Sequence, residues 1–297
     1  MNKQMTMFGF DEKSIEPKII NVSSVPQRSP FRYPGGKTWL IPTVRQWLKQ
    51  ENKTISILIE PFAGGGIVSL TAAFEKLAEK ITMVEIDEEI AAVWEVIFNG
   101  KNKWLADKIY SFELSTENIK SELENPHKRL QDIAFCTILK NRIFHGGILA
   151  KGSGMIKNGE NGKGIASRWY PKTLRDRILT IGCVKNTINF ISGDAFNTIE
   201  QILNNENAYF FIDPPYTVAG KRLYTYFDID HERLFKLTAQ IKGKFMLTYD
   251  DTTEIRQLAD KYKLLYRTIP MKTTLHYKKN ELIISDNFRW WGERNSF

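Results

Sequence analysis

Asp213-Pro214-Pro215-Tyr216 is the stretch of this chain with the most chemistry in it. It follows the apolar run 208–212, AYFFI, which reads as a buried strand. Two prolines fix the backbone and donate no amide hydrogen, so the Pro214 carbonyl is held beside the Asp213 carboxylate. Two acceptors facing one spot suit an amino group with two hydrogens to give. Tyr216 adds a flat face on which a base can stack. The bland alternative is a proline turn closing a strand.

A second site is Glu60-Pro61-Phe62-Ala63-Gly64-Gly65-Gly66, between a predicted strand at 55–60 and a predicted helix at 66–79. Glycines let a backbone approach a ligand closely. The loop is not the G-x-G-x-x-G dinucleotide pattern, and taken alone a tight strand–helix turn explains it equally well. Glu85 ends the next strand, 81–85, roughly 20 residues after the loop, where a carboxylate can accept from ribose hydroxyls. Asp87 competes for that role, and Glu85 is preferred as the strand-terminal residue.

Strand–helix alternation must position these groups. A loop enters a helix over 36–50, and a helix over 87–98 follows the strand 81–85. Further on come strands at 187–192 and 208–212, a helix at 231–241, a strand at 244–249 and a helix at 252–262. Strands at 264–269 and 281–285 close the series. The succession predicts an α/β fold with a doubly wound, mostly parallel sheet. Residues 101–185 carry helical segments but no such strands, and a glycine-rich stretch there holds Lys151, Lys157, Lys163 and Arg168. The chain thus divides into an N-terminal arm (1–29), a catalytic domain (30–104 and 186–297) and a mainly helical insert (105–185) with a basic loop.

The balance of 42 Lys+Arg against 34 Asp+Glu gives a formal charge of +8. That charge favours a polyanionic partner once a site for one is found independently. Cys136 and Cys183 have neither metal-ligand spacing nor a disulfide framework, which fits a reducing cytoplasm. No run is long enough for a membrane span, and 1–10 lacks the apolar core of a leader.

The motifs form an ordered set. Arg32-Tyr33-Pro34-Gly35-Gly36-Lys37 comes first, then Ile59 to Gly66 and Val84-Glu85-Ile86-Asp87. Ser192-Gly193-Asp194, Asp213 to Tyr216, Leu247 to Asp251 and Glu281 to Ser285 follow. In this order they resemble the Dam-like family of site-specific adenine-N6 DNA methyltransferases. The match covers about the first and last thirds of the chain.

The resemblance implies a Rossmann-like methyltransferase fold, S-adenosyl-L-methionine as methyl donor and no metal. It implies a flipped-out adenine in double-stranded DNA as substrate, a monomer by default, and possible pairing with a restriction endonuclease. Residue by residue, Tyr33 and Lys37 would contact the cofactor, Lys37 near its methionine carboxylate. Pro61, Phe62, Gly64 and Gly66 would line the methionine end. Glu85 would hold the ribose hydroxyls, Asp194 the cofactor's adenine, and Asp213 would sit where cofactor and target base meet.

Two positions depart from the family pattern: Glu85 where Asp is frequent, and Ala195 where an aromatic is frequent. Asn141-Arg142 with Gly146-Gly147 looks like a family element near the target-recognition region. Asn141, Arg142, Lys151, Lys157 and Arg168, with Lys221 and Tyr224 on the loop after the tetrapeptide, are the candidate DNA contacts. Two other functions compete. One is an RNA base amino-methyltransferase, which shares the Asp-Pro-Pro-Tyr motif. The other is a catalytically silent DNA-binding regulator, which would have no need of that motif.

Overall fold

A computed structural model describes residues 25–32, 35–126, 129–150, 152–159, 162–216, 225–226, 228–272 and 278–291. The apolar runs become strands β1 (Ile55–Glu60), β2 (Ala78–Glu85), β3 (Ile188–Ser192), β4 (Ala208–Ile212), β5 (Lys244–Asp250), β6 (Leu265–Lys272) and β7 (Lys278–Ser285). They form one seven-stranded sheet in the order β3-β2-β1-β4-β5-β7-β6. β1 to β5 pair in parallel, and β7 runs antiparallel between β5 and β6.

The doubly wound, mostly parallel sheet expected from the sequence is therefore present. From β1 the chain moves outward through β2 to β3, then returns to β4 on the other side. The order reverses between β1 and β4, and in such sheets ligands bind beyond the carboxyl ends at that switch point. Glu60 and Asp213 stand at those two ends.

Among the described residues there are ten α-helices: α1 (Ile41–Leu48), α2 (Ile67–Phe74), α3 (Glu88–Val96), α4 (Asn102–Ser111), α5 (Thr116–Glu124), α6 (Leu130–Ile143), α7 (Pro171–Ile181), α8 (Ala195–Ile202), α9 (His231–Thr238) and α10 (Thr253–Lys261). Side chains alternate across a strand. Phe210 and Ile212 of β4 accordingly join the core under α8, α9 and α10. Tyr209 and Phe211 join the larger core on the opposite face. Burial on both faces is why β4 is apolar at every position.

Several boundaries differ from the sequence reading, and two of them have plain physical reasons. The helix expected over 66–79 stops at Phe74, and β2 begins at Ala78. Lys76 takes a left-handed φ of 53°, while Leu77 N–H donates to Ala72 O and Lys76 N–H to Ala73 O. This is a Schellman closure with lysine where glycine usually signals one. The catalytic–insert boundary expected at 104/105 is crossed by α4. The chain instead turns at a π-helical step, Ile97–Lys101, where Gly100 has φ 82°.

Leu105, Ile109, Phe135, Ile138 and Ile178 of the insert are buried in the same core as Leu58 and Ile81 of the sheet. The insert's helices thus share one apolar core with the sheet, reaching it through α6 packed on α3. No helix among the described residues is long and apolar enough to cross a membrane.

Candidate active site

One cavity of about 1320 Å³ opens over the switch point, lined by the loop after β1, the end of β2, the loop after β3 and the tetrapeptide after β4. A single drug-sized ligand site spans roughly 300–1,000 Å³, and this cavity is somewhat larger. Its floor is built largely from backbone. Gly64 and Gly66 adopt φ of 46° and 62°, and Gly66 caps the N-terminus of α2. The left-handed backbone favours glycine at 66, and a Cβ there would stand 2.6 Å from Met83 Cε and 3.1 Å from Trp94, so the Met83 methyl would have to shift.

Trp94, fully buried on α3, donates its indole N–H to Gly64 O at 2.9 Å and holds the loop from below. Glu85 accepts from Gly64 N–H (2.8 Å) and Asp87 N–H (2.9 Å), one bond on each carboxylate oxygen. Each oxygen keeps a further lone pair for a hydroxyl donor. Burial pushes the Glu85 pKa up to about 7. Asp87 caps α3 through Glu89 and Ile90 N–H, which supports the structural role for it. S-adenosylmethionine fits the donor and acceptor set of the glycine loop and Glu85.

Asp194 lines the same cavity, and its Oδ1 caps α8 through Phe196 N–H at 2.8 Å. The aromatic missing at position 195 is supplied one residue later. Phe196 lines the cavity and packs edge-on against Phe62, with ring centroids 6.3 Å apart.

The tetrapeptide side is built from side chains. Asp213 Oδ1 accepts from Thr248 Oγ1 at 2.7 Å and pairs with Lys37 Nζ at 2.8 Å. Both contacts fall on one oxygen, Oδ1. Lys37 was expected beside the cofactor's carboxylate; here it stands on that of Asp213. A buried ammonium needs an anion within reach, and at 3% exposure Lys37 finds Asp213, with Glu281 at 3.9 Å.

The ring of Tyr216 stacks on Tyr249 (5.6 Å, 23°) and carries Lys37 Nζ 4.8 Å from its centroid. Its hydroxyl donates to Glu281 Oε2 at 2.9 Å. The face expected to be open to a base is therefore in contact with an ammonium. Behind it, Tyr249 OH is bonded to His231 Nδ1 at 2.7 Å. Glu60, at the end of β1, is buried and accepts from Ser69 N–H at 2.8 Å. Burial, aided by the Asp213 charge, pushes its pKa up to about 8.

The candidate DNA contacts separate. Asn141 is 1% exposed and spends its amide on backbone: Arg32 N–H donates to its Oδ1 (2.8 Å), and its Nδ2 donates to Arg32 O (3.0 Å) and Gly147 O (2.8 Å). It is a latch inside the protein and not an outward-facing contact. Arg142 and Arg168 line the cavity, and Lys157 is exposed away from it. Tyr33, Lys151, Lys221 and Tyr224 lie outside the described residues. Trp94, Phe196, Thr248, Tyr249 and Glu281 were not singled out as site residues from the sequence. Arg32 was named only within its motif, and Arg177 not at all.

Fold and site together define an S-adenosylmethionine-dependent methyltransferase of Rossmann-like architecture. The model of the D12 class N6 adenine-specific DNA methyltransferase family matches residues 33–135 and 158–272, and the chain belongs to that family. Comparison with curated proteins gives no match. Among solved structures the chain is similar to the rRNA methyltransferase aviRa of Streptomyces viridochromogenes, with 11% identity over 90% of this chain and 94% of that one and a TM-score of 0.39. It is also similar to the precorrin-6y C5,15-methyltransferase of Geobacter metallireducens, with 12% identity over 82% and 86% and a TM-score of 0.35.

Proposed function

We propose that this protein methylates the exocyclic N6 amino group of a flipped-out adenine in double-stranded DNA, at a sequence-specific site. The observation that carries the reading is Asp213. Its Oδ1 is anchored by Thr248 and Lys37, which leaves Oδ2 to act with the Pro214 carbonyl.

Those two acceptors accept hydrogen bonds from the two amino hydrogens, and the Asp213 carboxylate takes one of them as a proton once the nitrogen is methylated. They draw its nitrogen toward tetrahedral geometry and free a lone pair otherwise delocalised into the ring. S-adenosylmethionine, when bound, supplies an electrophilic methyl group. The protein's part is positioning and electrostatics. Extruding the adenine costs a few kcal/mol, and stacking on Tyr216 returns ~1–3 kcal/mol of it; for that, Lys37 Nζ moves off the ring while keeping its ion pair with Asp213 Oδ1.

Glu85 holds the ribose hydroxyls, Asp194 the cofactor's adenine, and Pro61, Phe62, Gly64 and Gly66 the methionine end, with Tyr33 completing that end. Residues 105–185 form the target-recognition region, where Arg142, Lys151, Lys157 and Arg168 meet DNA, as do Lys221 and Tyr224 beyond the tetrapeptide. The enzyme acts as a cytoplasmic monomer in a restriction-modification setting.

The test is transfer of labelled methyl from S-adenosylmethionine to unmethylated genomic DNA, with ribosomal RNA in parallel and the nucleosides separated. Label in N6-methyladenine from DNA alone is expected. Label only in RNA makes the protein an RNA amino-methyltransferase. No label with cofactor bound makes it a silent regulator. Asp213→Ala should lower methyl transfer at least about 1,000-fold and leave DNA affinity nearly intact. Equal loss of binding in the folded variant would sink that division of labour.

A further inference from the structure

We propose that Arg32, Arg142, Arg168 and Arg177 form a site for one backbone phosphate of the nucleic acid, in the wall of the methyl-transfer cavity. The inference rests on the proposed function and adds to it the group by which the substrate is held. The four arginines come from four segments: the segment before α1 that Asn141 latches, the end of α6, a 3-10 turn over Gly164–Arg168, and α7. All four line the one cavity that also holds Asp213 and Tyr216.

Arg142 is the centre of the cluster. Only 6% of it is exposed. One of its terminal nitrogens donates to Pro30 O, and its Nε is buried without a partner. Arg177 likewise spends a donor on backbone, Ser29 O at 2.7 Å.

Among the described residues, the charges that bear on Arg142 are the guanidiniums of Arg177, Arg32 and Arg168, all of like sign. Burial first, and then these charges, lower its pKa to about 9. Arg32 is lowered for the same two reasons, burial and then Arg168. At neutral pH a guanidinium stays charged. Titration therefore cannot relieve this repulsion, but a bound anion can. The planar fork of arginine matches phosphate oxygens two at a time. A nucleotide turned out of a duplex into this cavity carries its phosphates with it.

The test is DNA affinity against salt, using a fluorescent duplex of about 30 base pairs and the full-length protein. Arg32→Gln, Arg168→Gln and the double variant are compared with Arg168→Lys, and the S-adenosylmethionine affinity of each is titrated as a check on folding. Each Gln variant should bind duplex about 5-fold to 10-fold more weakly. The double variant should lower the slope of log K against log salt by about 1 and not 2, because one phosphate is shared. Arg168→Lys should keep the slope.

An unchanged slope in the double variant, with duplex still bound, overturns this site alone. Weakened cofactor binding with intact DNA binding overturns it in favour of the cofactor's carboxylate. Inorganic phosphate bound by the wild type at micromolar levels, and lost in Arg168→Gln, overturns it in favour of a small phosphate ligand. A wild-type protein that binds no duplex overturns the site and the proposed function together.

Discussion

The two halves of the cavity are made differently. On the β1–β2 side the wall is backbone: glycines at positive φ, amides spent on Glu85, and a carbonyl pinned by Trp94. On the β4–β5 side it is side chains: Asp213, Thr248, Lys37, Tyr216 and Glu281 linked by ion pairs and hydrogen bonds. A backbone wall has one shape and fails as a unit when a side chain is added. A side-chain wall can lose one member and keep the rest.

Gly66→Ala should break the first half outright. The methyl group meets Met83 and Trp94, and the left-handed backbone alone costs about 1–2 kcal/mol with a Cβ present. The expected result is S-adenosylmethionine affinity reduced at least about 100-fold by calorimetry, with a lower Tm. Near-normal cofactor affinity would show that the loop yields, and the contrast between the halves would fall.

Tyr216→Phe should cost less. It keeps the ring on Tyr249 and removes only the hydroxyl bonded to Glu281. Leaving one buried acceptor short of its donor costs ~1–3 kcal/mol. Methyl transfer should slow about 10-fold in kcat, with cofactor affinity within about twofold of wild type. A matching loss of cofactor affinity would mean that the halves are one unit.

What the sequence revealed follows the same division. Asp213-Pro214-Pro215-Tyr216, the glycine loop and Glu85 are contiguous and sit where strands end, so short local signals expose them. The strands themselves are apolar runs, and the sheet order follows from their alternation with helices. Trp94 is invisible because it lies in the apolar stripe of α3, where a tryptophan reads as core. Glu281 and Tyr249 come together only through the antiparallel register that sets Asp250 opposite Glu281. The arginine cluster draws on residues 32 to 177, and its members look like ordinary surface charges until the fold assembles them. The Schellman closure at Lys76 recurs at Lys263 after α10, with φ 57° and Leu264 N–H donating to Ala259 O. Neither carries the glycine that announces such an end.

The seam between the halves is Glu60, and pH probes it with the smallest expected effect. Its carboxyl titrates near 4.5 when unfolded and near 8 in the folded protein, chiefly because it is buried. Between those values the folded chain holds a proton that the unfolded chain has released. Folding stability therefore falls as pH rises through this window and is level outside it. Glu85 adds a loss of the same sign up to about 7. Glu60→Gln keeps an acceptor for Ser69 N–H and has no proton to lose. It should therefore gain on wild type as pH rises, by about 2 kcal/mol or roughly 5 °C in Tm near pH 8.5, with little difference near pH 4.5. Melting curves that run parallel across the window would mean that Glu60 is ionised in the folded protein. The two walls would then meet across a pair of like charges, Glu60 and Asp213, and Lys37 would be needed to hold them together.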